Sequence, residues 1–404
     1  MDSITQITLG AAVGEVVLGK KAGNRAMLWG AIAGTIPDLD VMSNMVADEL
    51  SGLAFHRAIT HSLTFSLLAP IGFGYLVHRL YKSDISTKDF FKDTGYVASG
   101  LLLLLILGTL PMPIPFPTIL SIGGIVTLSI VFFPILLFTR ERWRRKPSKN
   151  ENPSIREWTM LFFWAIVTHP LLDCCTTYGT QFFQPFFDYR VAFNNISVAD
   201  PAYTLPFLLL VILASFFTRH RPIRALINAA GIAISSAYMI FTFWNYQRVK
   251  GVFEDSFDQQ GIAYEKMMIT PTILNNLLWQ GVAEGDTAYY MGNYSILDEQ
   301  PIIPSFTAVP KQHELLAPYS DQRAVKILSW FSKGFYNVLQ KPDGTFQLND
   351  LRFGTFGEYK NEDSYIFQFN LQDVNGELEV FPDREAPEDA GRTFNELIER
   401  VKGR

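Results

Sequence analysis

Residues 157–176 read EWTMLFFWAIVTHPLLDCCT, and this stretch decides what kind of protein the chain is. Between Glu157 and Asp173 it carries no charged residue other than a histidine. About 20 residues rising 1.5 Å each are enough to cross the hydrocarbon core of a bilayer. Near its end stand His169 and Asp173, four residues apart, which on one helix point the same way. Ionisable groups beside a membrane core are costly to place there, and they mark function more often than packing.

The same apolar character recurs at 62–80, 97–115, 118–138, 203–217 and 223–245. Segments 4–19 and 25–37 are shorter and rich in Gly and Ala, as suits packed helices that span only in part. Hydrophobic types make up 48% of the 404 residues and charged types 18%, with charge sparse before residue 245 and ordinary after it. That split predicts a mainly α protein: a polytopic membrane helical bundle of about 6–8 helices. The bundle occupies residues 1–248, and a small soluble α+β domain follows over 249–404. Asp2 in place of a basic start, and Glu15 within the first apolar run, argue against a cleavable signal peptide. The two cysteines, Cys174 and Cys175, are adjacent and supply no disulfide framework. A formal net charge of -5, with basic residues scattered over short loops, gives no support for nucleic-acid binding.

Basic residues give an orientation. Lys20, Lys21 and Arg25 separate the first two segments, and Arg79, Lys82, Lys88 and Lys92 follow the third. Arg140 to Lys149 follow the fifth, and Arg219, Arg221 and Arg224 separate the last two. With all four loops cytoplasmic, as the positive-inside bias favours, the helices alternate without conflict and both termini lie outside. Asp38 and Asp40 then end the second segment, His56 and His61 lead into the third, and His169 and Asp173 approach the outer end of the sixth. All six candidate metal ligands fall on the extracytoplasmic side.

Their spacing is compatible with a single centre. His56 and His61 are five apart, about 140° around a helix, so both serve one site only if His56 lies in the preceding loop. Thr60 or Ser62 is placed to cap the helix that follows. Asp38 and Asp40, just beyond Pro37, suit a turn with both carboxylates on one ion. Mixed imidazole and carboxylate donors favour a divalent metal of the Zn²⁺ type, with Mn²⁺ or Fe²⁺ as alternatives, over an all-oxygen Ca²⁺ site. The other histidines read as ordinary groups: His78 and His220 lie in basic ends, and His313 in a polar stretch. Glu15, alone in an apolar helix, reads equally as an interhelical pair or as a catalytic group, and Asp200 before Pro201 as a helix cap.

Met1-Asp2-Ser3-Ile4-Thr5-Gln6, Pro37-Asp38-Leu39-Asp40, His56-Arg57 with Thr60-His61-Ser62, and His169-Pro170-Leu171-Leu172-Asp173 followed by Thr176-Thr177-Tyr178-Gly179-Thr180 resemble the YdjM-type family of inner-membrane metal-dependent hydrolases. The resemblance covers about residues 1–245. It implies a distant relation to the zinc-dependent phospholipase C and nuclease fold, hence a multi-zinc phosphoesterase with Asp38, Asp40, His56, His61, His169 and Asp173 as ligands. Gln6 departs from the pattern, since many relatives carry histidine there, which bears on the number of ions; Asp2 is one turn away. In such a site Asp38 or Asp40 is placed to take the proton of an attacking water, and Arg57 to clamp a phosphate oxygen. A site at the bilayer edge makes a lipid or lipid-linked phosphoester the expected substrate.

Residues 177–202 form an aromatic, turn-rich stretch that reads either as a cover for the site or as a membrane-interface belt. Beyond about 250, the segment 286–296 and Tyr365 to Leu371 alternate at strand period. No nucleotide loop, Ser-His-Asp signature or zinc-finger spacing occurs there. Three functions compete: a membrane metal-dependent hydrolase, a metal-ion transporter, and a non-catalytic membrane scaffold. Against transport, the candidate ligands gather at one end of the helices instead of lining their middles.

Overall fold

In the computed structural model the described residues are 1–45, 47–83, 153–355, 365–382 and 390–403. The expected segments 97–115 and 118–138, and the basic residues Lys88, Lys92 and Arg140 to Lys149, lie outside them.

The chain starts with two helices, α1 (Ser3–Ala22) and α2 (Asn24–Thr35). Asp2 caps α1 by accepting from the backbone of Ile4 and Thr5. Gly23, at φ 62°, turns the chain between them. The small residues noted in both segments explain how closely they pack. A Cβ on Gly10 would lie 2.3 Å from the carbonyl oxygen of Gly30, and one on Gly14 2.2 Å from that of Ala26. Only glycine permits that approach, as at many helix crossings in membranes.

A 3₁₀ turn (Pro37–Met45), the short α3 (Glu49–Phe55) and a second 3₁₀ turn (Ile59–His61) lead to α4 (Leu63–Lys82). Ser62 caps α4 through the backbone N–H of Phe65, whereas Thr60 turns to Asp40. Helix α5 (Ile155–Asp173) opens with a reciprocal capping box of Ser154 and Glu157 and packs against α1, α2 and α4. Trp158, Leu161, Phe162 and Ile166 of α5 are buried with Leu18, Ala26, Ala33 and Val77 in one apolar core. Two more helices follow, α6 (Pro201–Ser215) and α7 (Pro222–Gln259). Asp200 caps α6, as expected.

Among the described residues, α4 and α7 are long and apolar enough to cross a membrane, and α6 is apolar but shorter, at 15 residues. Leu68, Ile71 and Leu76 of α4, Leu209 of α6 and Leu226 and Ile240 of α7 are exposed, an outward apolar surface suited to lipid. Glu15 is buried and paired with Arg224 of α7, with Nε–Oε1 2.7 Å and Nη2–Oε2 2.5 Å; Arg224 Nη1 also donates to Asn24 and to the carbonyl of Phe217. The interhelical alternative for Glu15 is therefore the one observed.

The C-terminal part has the expected α+β character, with two four-stranded antiparallel sheets, each in sequence order. The first holds β1 (Lys266–Pro271), β2 (Leu278–Glu284), β3 (Ala288–Ser295) and β4 (Thr307–Pro310). The second holds β5 (Tyr336–Gln340), β6 (Phe346–Asp350), β7 (Gln368–Val374) and β8 (Glu377–Pro382), with α8 (Arg323–Phe331) against it and α9 (Ala390–Val401) last. The alternation at 365–371 thus enters its strand at Gln368, after Tyr365 has made an isolated bridge to Thr355. Position 248/249 falls within α7, which runs on without a break. Val249, Val252, Phe253 and Phe257 of this helix join Ile269, Trp279 and Tyr294 in the core of the first sheet. Leu50 of α3 likewise enters the core of the second, beside Leu328, Val338 and Leu348. Polar composition begins near 250, but no proline follows to end the helix there.

Candidate metal centre

Four side chains from three separate elements converge. Asp38 comes from the turn after α2, His61 from the turn before α4, and His169 and Asp173 from the last turns of α5. One donor atom from each lies within 4.8 Å of the others. His61 Nε2 is 3.4 Å from Asp38 Oδ1 and 3.4 Å from Asp173 Oδ2. His169 Nε2 stands 3.4 Å from the same two oxygens and 3.0 Å from His61 Nε2. Ligands about 2.0–2.1 Å from a tetrahedral Zn²⁺ are separated by about 3.3–3.4 Å, so the spacing suits a small divalent cation.

The donors themselves point the same way. Asp173 Oδ2 is buried and accepts no hydrogen bond, although its partner oxygen Oδ1 receives Gln6 Nε2 at 2.9 Å and the Met1 amino group. His169 Nδ1–H donates to the carbonyl of Gly34 at 2.6 Å, which leaves the Nε2 lone pair facing the cluster. That carbonyl is in reach because α2 lies so close to α1: a Cβ on Gly34 would sit 2.6 Å from the carbonyl oxygen of Gln6. Burial alone would lower the basicity of His61, yet the adjacent carboxylates of Asp173, Asp38 and Asp40 push it up to about 10. Asp38 is held well below the usual carboxylate range, its burial being outweighed by His169 and His61.

Asp40 and His56 stand one layer out. Asp40 Oδ1 meets His56 Nδ1 at 2.8 Å, while Oδ2 accepts from Arg57 N at 2.8 Å and Thr60 Oγ1 at 3.1 Å and lies 3.1 Å from His61 Nδ1. Burial would raise the Asp40 pKa, but the bonds from His56 and His61 overcome this and hold it below the usual range. Such a carboxylate orients the imidazoles that face the cluster. His56, the C-cap of α3, keeps Nε2 free and its ring partly exposed, 5.1 Å from the ring of Tyr178. Arg57, at φ 57°, places Nε 3.1 Å from Asp173 Oδ2 without hydrogen-bond geometry and donates from Nη1 to Thr176.

The remaining candidates are elsewhere. Asp2 caps α1, His78 donates to the Pro153 carbonyl, His220 is exposed beside Arg219, and His313 donates to the Tyr336 carbonyl. Within 177–202, Tyr178 packs on His56 and Arg57, while Phe183, Phe186, Phe187 and Tyr189 are exposed. Sequence reasoning passed over Arg190, which is buried beneath Tyr178. Its signal was available, since Asp188 and Arg190 are the only charged residues from 177 to 199.

Residues 1–249 match the profile of a family described as YdjM inner membrane protein. No curated protein and no solved structure matches the chain.

Proposed function

The chain belongs to the YdjM inner membrane protein family, and from that membership together with the convergence of Asp38, His61, His169 and Asp173 we propose that it is a membrane-bound metal-dependent hydrolase of phosphoesters. The observation that carries the reading is the buried Asp173 Oδ2, without a hydrogen bond, 3.4 Å from two imidazole nitrogens and within 4.8 Å of a donor atom of a second carboxylate. Asp38, His61, His169 and Asp173 would hold the ion. When bound, a divalent cation such as Zn²⁺ or Mn²⁺ supplies Lewis acidity, polarising a phosphoryl oxygen and making water a stronger acid.

The chain's own groups take the other parts. His56 is the proton acceptor, because its Nε2 is free at the open side while Asp40 fixes its Nδ1, an arrangement that keeps the imidazole in one orientation. Asp40 acts through His56 and His61. Arg57 stands behind Asp173 and balances its charge, with its guanidinium edge available to a phosphate oxygen. The exposed aromatic turn at Phe186 and Phe187 fits the headgroup layer, which favours a lipid or lipid-linked substrate.

Purified protein is expected to hydrolyse a generic phosphodiester or a short-chain phospholipid, to lose that activity with a chelator, and to regain it with Zn²⁺ or Mn²⁺. Asp40→Asn should lower turnover about 10- to 100-fold, as loss of an outer carboxylate does at metal sites, with little change in substrate binding. Cleavage of amides or carboxylic esters with phosphoesters untouched would remove the phosphoesterase reading.

We place the centre and the C-terminal domain on the extracytoplasmic side, on the strength of the basic loops. A periplasmic-active reporter fused after residue 404 should be active, and one inserted near Arg144 inactive. The opposite pattern would put the centre in the cytoplasm.

A further inference from the structure

Beyond the metal centre, three cations gather where the 177–202 stretch meets the C-terminal domain. Arg190 is 2% exposed and forms no ion pair with a carboxylate among the described residues. Its Nη2 donates to the carbonyls of Leu53 and His56, both at 2.9 Å, but Nε and Nη1 are buried without a partner. Arg352, on the other domain, is fully buried and grips Asp350 through Nε and Nη2, while its Nη1 is also without a partner. The Lys333 ammonium has no hydrogen-bonded carboxylate among the described residues and lies 5.7 Å from the ring centroid of Tyr189.

Shared aromatic rings tie these groups together. Arg190 and Arg352 both pack on Phe331, at 5.3 and 4.8 Å, and Arg190 shares the ring of Tyr178 with Arg57, each at 5.0 Å. The series therefore ends at Arg57, beside the ligand Asp173. Burial, with Arg352 and Arg190 nearby, draws the Lys333 ammonium down to about 8. Among the described residues Asp350 is the one carboxylate hydrogen-bonded to any of these three cations, while Asp40 acts on Arg190 from farther off.

The equally buried Arg224 shows the contrast: all three of its nitrogens have acceptors, and Glu15 balances the charge. Leaving Arg190 desolvated and uncompensated is costly, unless an anion completes it. Cation–π contact offsets part of the cost but satisfies no N–H.

We propose that Arg190, Arg352 and Lys333 form an anion site that receives a phosphate group, built jointly by the 177–202 stretch and the C-terminal domain. Guanidinium forks match tetrahedral phosphate oxygens in pairs, and a flexible ammonium adds a point charge. The position next to Arg57 gives the site its role: it anchors a phosphate of the substrate while the metal centre works on the neighbouring ester. That role rests on the phosphoesterase reading above; the binding itself does not. The C-terminal domain thereby becomes part of substrate recognition.

The test uses the full chain in detergent, stripped of divalent metal by a chelator so that no ion holds the ligand. Calorimetric titration with inorganic phosphate should show saturable binding that weakens as sodium chloride rises. Lys333→Gln should weaken it at least about tenfold, the loss of one charge-assisted contact, and Arg190→Gln more. Lys326→Gln, an exposed residue paired with Asp321, should leave it unchanged. Arg190→Gln also releases the carbonyls of Leu53 and His56, so the decision rests on Lys333, whose ammonium makes no bond within the fold.

Short-chain phosphatidic acid in place of inorganic phosphate separates the sources. Binding of both, in competition, assigns the site to the phosphate group whatever carries it, and binding of the lipid alone assigns it to a headgroup. Saturable binding of neither, or equal affinity in wild type and Lys333→Gln, overturns the proposal. Phosphate binding lost in Lys333→Gln, in a protein that turns over no phosphoester, keeps this site and removes the hydrolase reading. Turnover with unaltered phosphate affinity in Lys333→Gln does the reverse.

Discussion

His169→Ala is expected to abolish stoichiometric metal binding. The side chain offers one of the four converging donors, and its Nδ1–H bond to the Gly34 carbonyl aims Nε2 at the cluster, so the variant loses both the donor and its orientation. Loss of an outer-layer partner costs 10- to 100-fold in affinity at comparable sites, and loss of a ligand should exceed about a hundredfold. Metal analysis of purified protein after dialysis reads this directly. His61→Ala and Asp173→Ala should behave alike, whereas His78→Ala and His220→Ala, whose rings are remote from the cluster, should retain the metal. Equal metal in all five variants would make the cluster a packing feature and leave the chain a membrane scaffold.

The second large effect concerns stability. Arg224→Leu leaves the Glu15 carboxylate buried between α1 and α7 with no counter-charge, and breaking a buried pair from one side costs about 3–5 kcal/mol. Glu15→Leu combined with Arg224→Leu removes both charges and should recover most of that loss, because the desolvation penalty disappears with them. Thermal unfolding in detergent, followed by the midpoint shift of single and double variants, gives the comparison. Additive losses in the double variant would mean that the two residues act through separate partners, such as Asn24 and the Phe217 carbonyl for Arg224.

The family, the α+β character of the C-terminal part and the four converging donors were legible in the sequence because each rests on local pattern. His169 and Asp173 share a helix face, and apolar runs end at acidic or imidazole groups. Which member of the Asp38–Leu39–Asp40 pair faces the cluster was not legible. In a 3₁₀ turn, residues two apart are about 240° around the axis, so Asp38 and Asp40 diverge instead of closing on one ion. Asp40 then serves His56 and His61 from the far side. Arg190 escaped notice because its importance lies in what it lacks, a counter-charge, and only packing reveals that. The extent of α7 escaped for another reason: amino-acid composition changes near 250, but helix propensity does not.

The unbroken run of α7 has a mechanical consequence. Its 38 residues make a rod about 57 Å long, close to twice the thickness of a bilayer's hydrocarbon core. Its first part is apolar and long enough to cross a bilayer, and its other end is packed by Phe253 and Phe257 into the first sheet. The helix has no break between them, so in a membrane the tilt of the first part would set the height and heading of the second. A thinner or thicker bilayer would then swing the C-terminal part, with Lys333 and Arg352, relative to the lipid surface, making bilayer thickness a setting of the machine as well as its surroundings.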